Sequence, residues 1–250
     1  MAVSASNLTT GTDIDGNSTA TTASITPTAN RLILLTVTTR TGITANPNQP
    51  TATGNGLTWV AVNSVVWDTT SSSRKRVTVL RAMGASPSAG AVTIDFAGQN
   101  QTDVVWTIDE LSGTDTSGTN GSGAIVQSAT NIDETGANST FTVTLAAFSS
   151  VNNATFGGMT LDTYITTAAG SGFTIIGEKD EGASALAVLS ELNSGNDTTV
   201  DITNGGTSSY GGVAIEIKAL TATGRIFRTP ILSGLGGVGQ KLFNPPLTGI

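Results

Sequence analysis

The chain of 250 residues contains no cysteine and no histidine. Without Cys there is no disulfide, no thiolate nucleophile and no Cys-ligated metal. Without His, the usual general base and the commonest transition-metal ligand are missing. Charge is scarce as well, since Asp, Glu, Lys and Arg make up 12% of the chain. Thr, Ser, Asn, Gly and Ala dominate, so hydroxyls and amides must solvate most of the surface. The formal net charge of −7 argues against a general nucleic-acid binder. Long apolar runs are absent: Leu32–Leu35, continuing to Val37, falls far short of the roughly 20 residues that a membrane helix needs. The opening MAVSASNLTTG has neither a basic nor an apolar region of the kind a secretory signal carries.

What is present is short stretches with a period of two. Asn30–Arg40 is the most apolar and reads as a central strand fed on both faces. Thr19–Thr26, Leu57–Asp68 (with a bend at Asn63–Ser64), Arg76–Ala82, Ala91–Ala97 and Val104–Leu111 follow. Then come Ala124–Ala129, Ser139–Leu145, Asn153–Met159, Phe173–Glu178, Ala185–Leu192, Thr198–Thr203 and Val213–Leu220. Gly, Pro, Ser or Asn bounds each of them. Thr41–Gly56 and Ser112–Gly123 read as loops, and no helical period extends over a dozen residues. The expectation is an all-β protein, a two-sheet β-sandwich of jelly-roll type with an extended C-terminal arm.

An internal pseudo-repeat is also visible. Val79–Leu80 matches Val188–Leu189, and Val104, Ile108 and Leu111 match Val213, Ile217 and Leu220 at one constant offset. This predicts two similar halves, about 17–112 and 138–220, within a body spanning 1–220. Convergence of Thr/Val-rich strands on the same period is the plainer alternative.

Several clusters invite chemistry. Asp13-Ile14-Asp15-Gly16-Asn17 has the hard oxygens of a calcium turn but lacks the distant Glu of an EF-hand, so a simple turn is expected and no metal is assigned. Asp109 and Glu110 are adjacent carboxylates that a strand directs to opposite faces, which argues against a paired acid/base site. Parity puts Glu110 with Trp106 and Ile108. Trp59, Trp67 and Trp106 are candidates for a sugar-stacking platform, with core filling as the stronger alternative. Trp59 and Trp67 share parity. Arg74-Lys75-Arg76, the one basic cluster, reads as a solvated hairpin cap or a contact for an acidic neighbour. Neither a catalytic residue nor a cofactor site emerges, and the expectation is a protein that is not an enzyme.

From Thr221 the alternation stops. Residues 1–220 carry 8 basic and 18 acidic side chains, a charge of −10, whereas 221–250 carry Arg225, Arg228 and Lys241 and no acid, +3. The segment has Gly and Pro enough to oppose long regular structure. It is nevertheless studded with Ile226, Phe227, Ile231, Leu232, Leu235, Leu242 and Phe243. Apolar anchors without a core of their own predict an arm that docks on a partner, with Arg225, Arg228 and Lys241 meeting acidic patches there. Packing back on its own body is the alternative.

Residues Gly54–Val60, Arg81–Asn131, Phe141–Phe148 and Val213–Lys218 resemble a Thr/Gly-rich β module of tailed-bacteriophage virion structural proteins and environmental bacterial surface proteins. The resemblance covers most of 20–220, and its motifs are structural, so it transfers no site residues. It implies a virion structural protein of capsid-decoration or accessory type. The partners would be other virion proteins (a major capsid protein or tail proteins) and further copies of the chain, without nucleic acid or membrane. A secreted-looking composition without a secretion signal suits a virion assembled in the host cytoplasm and released by lysis. A carbohydrate-binding or adhesive module of a tail fibre or cell surface, with a glycan as ligand, is the alternative.

Overall fold

A computed structural model describes residues 2–182 and 185–221 of the chain. The anticipated docking residues, Arg225 to Phe243, lie outside the described residues. Within them the chain is all-β, and the only helical turn is a 3-10 turn at Ser122–Ala124.

Fifteen strands form among the described residues: β1 (Ser4–Asp13), β2 (Thr19–Thr21), β3 (Leu32–Arg40), β4 (Thr51–Gly54), β5 (Leu57–Thr58), β6 (Val60–Trp67), β7 (Lys75–Ala82), β8 (Val92–Asp95), β9 (Asp103–Ser112), β10 (Ile125–Thr144), β11 (Ala154–Leu161), β12 (Thr167–Ala169), β13 (Thr174–Asp180), β14 (Ala187–Asn193) and β15 (Thr199–Ile217). One large sheet has the order β1-β9-β3-β7-β6, and the other β10-β15-β11-β14-β13, with β12 joining β15. A small sheet, β2-β8-β4-β5, adds a third layer to the two-sheet expectation. All pairings are antiparallel.

The two large sheets share one connectivity. β1, β9, β3, β7 and β6 occupy the places of 125–133, 210–217, β11, β14 and β13. The small sheet β2-β8-β4 likewise matches 140–144 of β10, 199–203 of β15, and β12. In the first half the chain breaks between layers, at 14–18 and 96–102. In the second it runs through as strands of 20 and 19 residues, with register shifts between Asp133 and Thr140. Such irregularities let one strand bend out of one layer into the next. The repeating unit therefore begins at Ser4 and at Ile125, ahead of the positions that the sequence matches suggest.

Among the described residues, three apolar cores fill the spaces between layers. The central core joins Leu32, Leu34, Val77 and Val79 of the first large sheet to Phe156, Val188, Val213 and Ile215 of the second. The outer face of the first sheet, with Ile33, Leu35, Val37 and Trp106, packs on Ala20, Val92 and Ile94 of the small sheet. The outer face of the second, with Met159, Leu161 and Leu189, packs beneath Phe141, Val143, Val200 and Ile202 of the curled strands. This is why β3 and β11 are buried on both faces, and why their sequences show no alternation of apolar and polar. Each such side chain contributes about 1.5–3 kcal/mol.

The middle of the central interface is close and partly polar. A Cβ on Gly158 would come 2.9 Å from Val79 Cγ2 and 3.0 Å from Thr36 Cγ2, so glycine sets the sheet separation there. Thr160 Oγ1 donates to Thr38 Oγ1 across the sheets at 2.9 Å and also lies 2.8 Å from the Ala187 carbonyl oxygen.

Candidate functional site: the C-terminal exit

The last described residues leave the body beside the N-terminal strand. Ala219 forms an isolated bridge with Thr114. Leu220 N–H donates to the Gly113 carbonyl at 2.7 Å, and Asp115 N–H to the Lys218 carbonyl at 2.9 Å. Lys218 Nζ pairs with Asp115 at 2.7 Å. Hydrogen bonds from Lys218 and Ser117 hold the Asp115 carboxyl down at about 2. The exit from β15 is thus held in a fixed direction by residues 113–115.

A buried carboxylate organises the neighbouring loop. Glu216 is fully buried on β15. It accepts from Asn153 Nδ2 at 2.6 Å, Ser149 N–H and Oγ at 3.1 Å each, and Gln127 Nε2 at 2.7 Å. Four donors satisfy polar oxygens that would be costly to bury unpaired. The loop between β10 and β11 is drawn against the exit strand, and Val151 stands 77% exposed on it. Between that loop and Lys218–Thr221 lies a cleft of about 620 Å³ whose lining includes Ala2 and Ser194. Ser194 also lines a groove of about 380 Å³ between the N-terminal end of β1 and β13.

The other residues singled out from sequence are dispersed. Asp109 and Glu110 point to opposite faces of β9, as a strand requires. Asp109 is fully buried between the large sheets, where Asn7 Nδ2 donates to it at 2.8 Å. Burial lifts its carboxyl to about 6 against hydrogen bonds from Ser190, Asn7 and Thr107. Glu110 is only half-buried and accepts from Thr28 N–H at 2.6 Å. The three Trp residues are 9%, 0% and 3% exposed at 59, 67 and 106, so they fill cores and offer no stacking face. Trp59 and Trp67 serve different cores because the β6–β7 register shifts between Ala61 and Asn63, which inverts the parity read from sequence. Asp13 Oδ1 accepts from Asp15 N–H at 3.0 Å, and Gly16 follows at φ 76°. This is an Asx-type turn.

The basic cluster is neither a solvated cap nor a free contact. Arg74 reaches Asn46 Oδ1 at 2.8 Å, and Arg76 reaches the Pro47 carbonyl at 2.7 Å and Ser64 Oγ at 2.9 Å. Lys75 is 2% exposed and lies among carboxylates. Arg40 bonds Asp103 and stands 3.3 Å from Glu181 close by. Burial, and then the charge of Asp103, push Glu181 up to about 8.

Sequence reasoning missed Glu191 entirely. It is fully buried on β14, and among the described residues no side chain donates to either of its oxygens. Burial and the charge of Asp201 raise it to about 8. The only sequence signal is a carboxylate inside an otherwise uncharged strand, AVLSELN.

No protein-family model, curated protein or solved structure matches the chain.

Proposed function

We propose that the protein is a non-enzymatic structural subunit of a phage virion, of capsid-decoration or accessory type, which docks on neighbouring virion proteins through residues 222–250. The carrying observation is the stitched exit at Gly113–Asp115. It gives the C-terminal segment a defined point of departure from a layered, sparsely charged body. Charge supports the same reading: an acidic body of −10 and an arm of +3 complement one another between copies and between unlike subunits. The resemblance of 20–220 to phage structural modules is the second support.

The test compares the full chain with a chain ending at Thr221, each mixed with virion shells or tails purified without the protein. The full chain is expected to co-sediment with the particles. The shortened chain is expected to keep its β-sheet circular dichroism and lose binding. Equal binding by both would refute the role of the arm, and failure of the full chain to bind either particle would refute the virion reading.

A further inference from the structure

Lys75 is the one buried lysine among the described residues. It opens β7 opposite Trp67, the last residue of β6, and its side chain is 3% exposed. Nζ lies 5.3 Å from the Trp67 ring centroid. It contacts Oδ2 of Asp68 and stands 2.9 Å from Oδ1 of Asp162. Asp68 follows β6 in the same hairpin. Asp162 follows β11 in the facing sheet, where its N–H donates to the Ser209 carbonyl and Ser208 Oγ at 3.1 Å each. The site therefore holds an amine, a carboxyl group against it, and a second carboxylate on the same nitrogen. An indole walls off one side.

These are the parts of an amide condensation: a nucleophile, an acyl carbon and a proton carrier. We propose that Lys75 and Asp68 condense to an intramolecular isopeptide bond, with Asp162 carrying the protons. Asp162 takes a proton from the Lys75 ammonium and passes it to the Asp68 carboxylate. The neutral Nζ attacks Cγ of Asp68. The remaining excess proton on nitrogen passes through Asp162 to the Asp68 hydroxyl, the C–O bond breaks, and water leaves. The sum is ammonium plus carboxylate giving amide plus one water, with no oxidant, reductant or cofactor. Exposure assigns the roles. The Asp68 side chain is 13% exposed, suiting the desolvated acyl group, whereas Asp162 is 35% exposed and adjoins the solvent that must receive the water.

Two effects drive the reaction. Fixed partners reach effective concentrations of about 10⁵ M or more, which reverses a condensation unfavourable between dilute groups. A neutral amide also removes the desolvation cost of a buried ion pair.

The test is the mass of the intact, full-length protein. It is expected to be lighter than the sequence requires by one water. Trypsin should fail to separate Lys75 from the peptide containing Asp68, leaving a branched product in which 75–76 remain joined to 41–74. Asp162→Ala and Lys75→Arg are each expected to restore the full mass, and Asp68→Asn to lose ammonia in place of water. Full mass in the unsubstituted protein, or separate linear peptides on the two sides, would overturn the proposal whether or not the variants fold. A branch at Asp162 would overturn the assignment of roles.

Discussion

At the scale of single residues, the buried acids set how the fold responds to pH. Glu191 ordinarily titrates at 4.5 and in the fold at about 8, so the native state holds a proton that the unfolded chain releases. Its contribution is complete below pH 4.5 and is lost as pH rises toward 8. Glu181 shifts in the same sense over the same window, and Asp109 between 3.8 and about 6. The thermal midpoint is therefore expected to fall from pH 5 to pH 8. Glu191→Gln, which keeps the shape and removes the titration, should raise stability at pH 8 more than at pH 5; equal midpoints for variant and parent at pH 8 would contradict this. Glu216 is held by four donors. Glu216→Ala strands those donors and should cost about 1–3 kcal/mol. Hydrogen exchange should accelerate at 149–153 more than elsewhere. Gly158→Val pushes a branched side chain into Val79 and Thr36, and a loss of about 1–3 kcal/mol in chemical denaturation is expected.

At the scale of elements, legibility followed amphipathic contrast. Asn30–Arg40 and Val104–Leu111 were readable because burial on two faces, or alternation across one, marks them plainly. The strand β1 was not, since SASNLTTGTD carries one large apolar residue and is held by its ladder to β9. Loop signals at 41–56 likewise concealed β4, four residues long. The long strands β10 and β15 were read as separate pieces because DETGAN and NGGTSS look like turns. They remain extended because each pairs with the other across the bend. There Phe141 stacks on Tyr210 at 5.4 Å between centroids, and Tyr210 Oη donates to the Asn138 carbonyl at 3.1 Å. Tyr210→Phe removes only that bond and should cost about 0.5–1.5 kcal/mol, whereas Tyr210→Ala should cost about 3–5 kcal/mol. Similar losses for the two substitutions would mean that the ring does not support the curled layer.

At the scale of the whole molecule, the two halves share the central core and cannot bury it alone. Each half expressed separately, 2–121 or 122–221, exposes an apolar sheet face and is expected to aggregate or remain unfolded. Mixed during refolding, the two should recover the β-sheet spectrum as a complex of one copy each. A half that folds as a soluble monomer would show that the central core is an interface between independent domains. The sequence by itself determined the strand class, the opposite facing of Asp109 and Glu110, and the change of material at Thr221, because each depends on local period or composition. The tertiary structure alone decided which polar residues are buried and what they meet. Lys75 reads as part of a basic turn and Trp67 as a partner of Trp59. Sheet packing and one register shift reassigned both, since burial and facing depend on what lies across the sheet, which no local window contains.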